Sequence, residues 1–392
     1  MKKILDCIQE LGEGRYLCYK TRKVSLDVND NDTLDYDDKD VQQVHDSRFA
    51  ESNQTRVKTI QITQKVIDLC KTPLFSYFLD GSRHVYKVDD IAIGSKIYPV
   101  LAGQIIVGCC KRVDRDTFKN CRLNRTIVIC LPVTFKDGTG LKEQDLCKSY
   151  CEQINARLSQ NKYVKDAKIG IDKIILYPVD GDDKFNKDKN ALKDSGTAKI
   201  QSEMIGYEQE MVSFLCSQHL LNDEHYLIKD GSLEYRNFYG VDMSSTTAAQ
   251  MRTNYQHVVG VSKLFNPDLI LDYEKKKLSK TIAALKPYER TKAYRYKQGS
   301  FEFAVWYLRL RKTDFRETNF SDVVKCEMML TNAGDVIETD IINTISANLI
   351  REAYPTCYGN DNRWGNHIYP VYLTEQFCKS NYISQEILLN LF

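Results

Sequence analysis

The sequence lacks any run of about 18 apolar residues, and no apolar segment follows its charged first residues. Both absences argue against a membrane-spanning or secreted protein. It also has no C-x-x-C pair, and its 13 cysteines and six histidines are scattered, which argues against a zinc site. The cysteines are therefore expected to be reduced and mostly buried, in a cytoplasmic protein.

The chain also has almost no excess of positive or negative charge. The 55 Lys and Arg residues nearly balance the 53 Asp and Glu residues, leaving a net charge of +2. A polyanionic partner would therefore be held by local patches and not by the field of the whole molecule. With 42% hydrophobic residues, the 392-residue chain can bury one large core or two ordinary ones.

The chain does contain, twice, the phrase Asp-Gly-Ser after an apolar, β-rich run. Asp80 follows residues 74–79, and Asp230 follows residues 225–229. Each phrase predicts a carboxylate near the tip of a strand, and neighbouring strands would bring the two together. A pair of aspartates so placed suits a divalent-metal phosphodiesterase. Asp-Gly is also the commonest hairpin signal, so two ordinary turns are the alternative.

Three further residues could join such a site. Glu208 falls on the apolar stripe of a helix predicted over residues 200–221, where a carboxylate must be paired or bind a cation. Glu210 competes with Glu208 for this role, although it points away from the stripe. Lys263 ends a predicted strand and could contact a phosphate or orient water, or simply extend to solvent at the sheet margin.

Basic residues alternate with aromatic and apolar ones in the C-terminal half. Arg309 and Arg311 alternate along a predicted strand, and Arg290 and Tyr294 lie just upstream. This composition predicts a surface for single-stranded nucleic acid, with an ordinary amphipathic strand pair as the alternative. A second basic run covers residues 111–125.

The chain is predicted to divide near residue 70. Residues 1–70 form a helical and strand region containing an acidic tract at 27–40, which is either a solvated loop or an arm that masks a basic cleft. Residues 71–392 form the main domain, and 111–198 a probable inserted subdomain. Short strands are predicted at 85–88, 91–93 and 97–107, and a flexible linker at 181–198.

The order of these motifs resembles the NurA family of nucleases. The matching segments are residues 78–82, Glu208, and then 230–233, 259–263, 303–310, 324–327 and 369–373. The family often has a histidine shortly after its C-terminal Tyr-Pro, where this chain has Gln376 and Phe377. His367 is a candidate substitute that would also contact nucleic acid.

The resemblance implies an α/β fold: an RNase H-like mixed central sheet flanked by helices, with an inserted β-rich subdomain. It further implies a homodimer, Mn²⁺ or Mg²⁺ as cofactor, and a HerA-like hexameric ATPase as partner. The implied activity is endonuclease cleavage of single-stranded DNA and exonuclease resection of ends, in DNA repair or phage defence. Asp80, Glu208 and Asp230 would then be metal carboxylates, and Lys263 a phosphate or water contact.

Three functions remain open on the sequence. The first is two-metal phosphodiester hydrolysis, with the cations about 3.5–4 Å apart. The second is a catalytically silent nucleic-acid-binding subunit, which the missing histidine supports. The third is an Argonaute-like, guide-dependent nuclease, although the N-terminal part shows no guide-anchoring module.

Overall fold

A mixed sheet of 13 strands is the centre of the fold in the computed structural model. The structure describes residues 3–27, 43–135, 140–179, 189–235, 246–299, 301–312, 318–332, 334–357 and 364–392. The strands are β1 (Tyr16–Tyr19), β2 (Val24–Ser25), β3 (Gln43–Val44), β4 (Thr59–Gln61), β5 (Phe75–Ile93), β6 (Lys96–Arg112), β7 (Phe118–Pro132), β8 (Lys173–Tyr177), β9 (Tyr226–Asp230), β10 (Val258–Ser262), β11 (Ile270–Leu271), β12 (Glu289–Thr291), β13 (Tyr294–Gln298), β14 (Phe301–Arg309) and β15 (Val323–Met329). β3 and β11 form a separate two-stranded sheet. The acidic tract lies outside the described residues except for Asp27.

The order across the sheet is β4-β12-β14-β15-β10-β9-β5-β6-β7-β8. β5, β6 and β7 form an antiparallel meander, while β9 runs parallel to β5 and β10 parallel to β9. β15 and β14 continue the sheet in antiparallel pairing. The predicted α/β class with a mixed central sheet is confirmed.

Helices cover both faces of this sheet. They are α1 (Ile4–Leu11), α2 (Gln64–Leu69), α3 (Glu143–Leu158), α4 (Lys162–Asp166), α5 (Lys189–Ser217), α6 (Thr246–Tyr255), α7 (Ser279–Ala283), α8 (Thr339–Glu352), α9 (Tyr369–Ser380) and α10 (Gln385–Asn390). Side chains of β5 alternate between the faces: Leu79 packs in a core with α5, and Phe78 in a core with α8 and α9. We call these the α5 face and the α9 face.

β5 is one continuous strand, so Asp80 lies neither near a strand tip, as predicted, nor in a turn, which was the alternative. The chain passes through Asp80 and Gly81 without a break and pairs with β6 up to Ile93. The reversal comes at Gly94, whose φ of +62° suits a hairpin. Asp80 therefore lies inside a strand, held by neighbours on both sides, whereas Asp230 does end its strand as predicted.

Two strands from the segment predicted as an inserted subdomain (residues 111–198) belong to the main sheet. β7 completes the antiparallel meander with β5 and β6, and β8 pairs parallel with β7. The described part of the predicted linker, from Lys189, is the first third of α5. Gly196 lets this helix approach β6, because a Cβ there would lie 2.3 Å from Leu101 Cδ1. The polar composition of residues 189–198 did not indicate a helix, because only a narrow side of this helix is buried.

Candidate active site

Asp80 and Asp230 lie side by side on neighbouring strands. Leu79 of β5 is opposite Lys229 of β9 in the parallel register, so the next residue on each strand is an aspartate. Strand spacing puts their Cα atoms about 5 Å apart, and both side chains emerge on the α9 face. The prediction that the sheet would bring these two carboxylates together is confirmed.

The Asp80 carboxyl is buried and lacks a close partner. Its residue is 6% exposed, and within the described ranges no hydrogen bond or ion pair reaches the side chain. Burial raises its pKa well above the usual range, and the negative charge of Asp230 raises it further, against the opposing effect of Lys263. A carboxyl in this position is stabilised either by a proton or by a cation.

Lys263 is the cation nearest to this pair. It follows β10, and its Nζ lies 2.9 Å from Asp230 Oδ2 and 3.6 Å from Glu375 Oε2. Burial disfavours the ammonium form, but the charges of Asp230 and Glu375 outweigh burial and raise the Lys263 pKa. The ammonium therefore stays charged between two acids.

Glu375 was missed from the sequence. It lies on α9, where the buried side of the helix carries Val371, Thr374 and Cys378. Its carboxylate also accepts a hydrogen bond from Lys379 at 2.7 Å, and despite burial, Lys263 and Lys379 lower its pKa. The apolar stripe of the helix was the signal in the sequence that could have indicated it.

Glu208 is buried and paired, as its place on the apolar stripe predicted. The residue is 2% exposed, and its Oε2 lies 3.1 Å from Lys229 Nζ on the α5 face. Burial raises the Glu208 pKa, which Lys229 partly opposes. Its Oε1 lies only 2.4 Å from the position of a Cβ on Gly81, so the glycine makes room for it. Glu210 is exposed, which removes it as the competitor.

The donor chemistry and the charge of this cluster fit a divalent cation. Four carboxyl groups (Asp80, Asp230, Glu208 and Glu375) face two buried ammonium groups (Lys229 and Lys263). Oε2 of Glu208 and Oε2 of Glu375 are buried, and among the described residues their charged partners are Lys229 and Lys263. Oxygen donors and excess negative charge favour Mg²⁺ or Mn²⁺.

The ligand geometry is not assembled, however. Among the described residues, no three or more His, Cys, Asp or Glu side chains are placed to hold a metal together. Lys229 holds Glu208 on the opposite face of the sheet, and Lys263 lies between Asp230 and Glu375. Asp80 and Asp230 are thus the two carboxyl groups that lie together on one face of the sheet, and Glu208 does not reach them in this conformation.

The five residues predicted to bind nucleic acid do not form a surface, so this prediction is wrong. Arg290, Tyr294, Arg309, Arg311 and His367 are all buried. Arg290 binds Glu51 and Asn343, Arg309 donates to backbone carbonyls that include Leu285 and Ser321, and Arg311 donates to those of Gly365 and His367. Tyr294 stacks on His45. β14 is covered on both faces, as its nearly continuous apolar sequence indicates. Arg309 at its end and Arg311 just beyond it therefore bind loop carbonyls inside the protein.

His367 lies close enough to Glu375 for its charge to affect that carboxyl. Its ring packs edge-on against Tyr372, 5.6 Å between centroids. It therefore lies beside the acidic cluster and not on a nucleic-acid surface.

Exposed cations occur instead on the basic run of β6 and β7. Lys111 lies opposite Lys119, and Arg122 follows on the same side, above the ring of Phe214 at 4.2 Å. All three are exposed. This run remains available to a polyanion.

A second buried charge network borders the turn after Asp230. Lys325 Nζ lies 2.7 Å from Glu327 Oε1 and 3.0 Å from Glu234 Oε1. Burial raises the pKa of Glu234 to about 8, although Lys325 opposes the shift. Despite burial, Lys325 holds the pKa of Glu327 below its usual range. Glu234 is therefore protonated at neutral pH and Glu327 ionised.

We expect this network to make the protein less stable as the pH rises from about 5 to 8. In that window the folded state keeps a proton on Glu234 that the unfolded state releases, so stability falls with pH. Glu234→Gln should flatten this dependence. Urea unfolding at pH 5, 6.5 and 8 would measure it, and an unchanged slope in the variant would contradict the assignment.

No protein-family model matches the chain, and no curated protein is similar to it. No helix within the described ranges is long and apolar enough to cross a bilayer.

Proposed function

We propose that this protein is a metal-dependent DNA nuclease with an RNase H-like core, centred on Asp80 and Asp230. The observation that carries the proposal is a buried aspartate whose side chain has no hydrogen bond or ion pair within the described part of the chain, placed beside a second aspartate on the next parallel strand. Such a pair contributes little to the stability of the fold, because two like charges are brought together out of water. Two neighbouring carboxylates can, in contrast, bind a cation.

The strand order supports the RNase H-like assignment. The meander β5-β6-β7 followed by the parallel strands β9 and β10 gives the order β7-β6-β5-β9-β10. A mixed central sheet flanked by helices is what the resemblance implies for an RNase H-like core. Asp80 lies on β5, at the centre of these five strands.

Each residue of the cluster has a distinct part in the proposed activity. Asp80 and Asp230 would hold Mn²⁺ or Mg²⁺, which when bound activates water and stabilises the leaving oxygen of a phosphodiester. Lys263 orients Asp230 and Glu375 and supplies a positive charge at the position of a substrate phosphate. Glu208 joins the set only if it leaves Lys229.

The substrate and partners follow from the resemblance and are part of the proposal. Single-stranded DNA and duplex ends would be cut by endonuclease and exonuclease action, in end processing or phage defence. A second copy of the chain and a HerA-like hexameric ATPase would complete the assembly. The exposed cations Lys111, Lys119 and Arg122 lie on the α5 face, opposite the aspartate pair, so they are not assigned to contact DNA at this site.

The test is cleavage of a fluorescent single-stranded oligonucleotide by the full chain. We expect cleavage with Mn²⁺ or Mg²⁺, and none in EDTA. The second candidate, a silent DNA-binding subunit, is favoured by the pairing of Glu208 with Lys229. Binding without cleavage, with and without a HerA-like ATPase, would overturn the nuclease and support that candidate.

A further inference from the structure

Several contacts fix the turn that follows Asp230, in addition to those needed to end the strand. Gly231 has a φ of +83°, a conformation that favours glycine, and its N–H donates to the Val261 carbonyl at 2.9 Å. Lys229 Nζ donates to the Ser232 carbonyl at 3.2 Å. The chain therefore folds back immediately beyond the carboxylate.

Glu327 of β15 is the main anchor of this turn. Its Oε2 accepts the Ser232 hydroxyl at 2.8 Å and the Leu233 N–H at 2.7 Å. The residue is fully buried, and Lys325 binds its other oxygen. A charged acceptor of two hydrogen bonds in the interior is a strong and directional restraint.

The packing beneath the turn makes this contact possible. Glu327 lies opposite Gly260 of β10. A Cβ on Gly260 would lie 2.7 Å from Leu233 Cγ and 3.1 Å from the Gly231 carbonyl oxygen. The absence of a side chain there lets the turn lie flat on β10, within reach of Glu327.

We propose that Glu327 is a positioning residue for Asp230, acting through Ser232 and Leu233. By fixing the turn, it holds the Asp230 carboxylate beside Asp80 at a fixed separation. This inference rests on the proposed function, because it concerns the metal site of the nuclease. Residues that orient metal ligands in this way typically change metal affinity or activity by about 10- to 100-fold when lost.

The test compares Glu327→Gln and Glu327→Ala with the wild-type full chain. Mn²⁺ affinity is measured by calorimetry, and hydrogen exchange is followed over residues 231–235 without metal. We expect Mn²⁺ affinity to fall about 10- to 100-fold in Glu327→Ala and the turn amides to exchange faster. Glu327→Gln keeps one acceptor and should retain more of both properties.

Two further variants separate positioning from a general loss of stability. Ser232→Ala removes the hydrogen bond to Glu327 and the one that the hydroxyl accepts from the Glu234 N–H. It should weaken Mn²⁺ binding less than Glu327→Ala does, because the Leu233 N–H still donates to Glu327. Glu302→Gln is the matched control, since Glu302 also accepts from a backbone N–H, that of Gly334, and from Arg295, far from the turn. It should leave Mn²⁺ affinity unchanged.

The outcomes distinguish the two proposals. If Glu327→Ala, folded at the assay temperature, binds Mn²⁺ like the wild type, the positioning role is overturned and the nuclease stands. If the wild type itself binds no Mn²⁺ and cleaves nothing, the proposed function fails, and the positioning of a metal ligand fails with it. Mn²⁺ binding that is weaker in Glu327→Ala than in both the wild type and Glu302→Gln supports the inference.

Discussion

Asp80→Asn is expected to abolish cleavage while stabilising the metal-free protein. The variant keeps the shape of the side chain but removes a buried ionisable group that faces Asp230 and has no hydrogen bond or ion pair among the described residues. Relief of burial and of like-charge repulsion should raise the free energy of unfolding by about 1–3 kcal/mol. A cation ligand is lost at the same time, so we expect cleavage to fall at least about 1,000-fold.

The measurement combines urea unfolding in EDTA with oligonucleotide cleavage in Mn²⁺. Asp89→Asn is the matched control: Asp89 is also buried on β5, but it accepts the Thr21 N–H at 2.9 Å and lies far from Asp230. This control should cleave like the wild type. An Asp80→Asn protein that cleaves normally, or that is less stable than the wild type, would contradict the assignment.

Lys263→Met is expected to be strongly destabilising. It leaves Asp230 and Glu375 partly buried without the ammonium between them, and breaking such a pair costs about 3–5 kcal/mol. Added Mn²⁺ should restore part of the lost stability, because a bound cation takes over the neutralising charge.

Urea unfolding with and without Mn²⁺ measures this effect. Lys379→Met is the control, because Lys379 binds the same glutamate from a half-exposed position and should contribute less than about 1 kcal/mol. Equal stabilities of the two variants would show that the buried ammonium is not needed.

Three elements of the C-terminal half could be predicted closely because their patterns are local. Strands predicted over 258–263 and 323–330 and a helix predicted over 340–353 correspond to β10, β15 and α8 within a few residues. The pairing of β5 with β9 was also predicted, because the two aspartates could act together only if their strands were neighbours in the sheet.

The rest depended on which surfaces meet, and a single sequence does not encode that locally. Alternation of Arg309 and Arg311 with apolar residues predicts a half-exposed strand, but coverage of both faces of β14 buries them. Glu375 joins the site only because α9 crosses β5, and no spacing in the sequence links residue 375 to residue 80. The Lys229–Glu208 pair likewise forms only when α5 packs on the sheet.

The position of Asp80 inside β5 also bears on folding. β9, which covers one edge of β5, lies far downstream, so during synthesis the meander β5-β6-β7 is complete while that edge is still open. An open apolar edge is a template for aggregation, and inward-pointing charges are one way in which natural sheets prevent it. The carboxylate that we assign to the metal site would then also protect the nascent chain until its proper neighbour arrives.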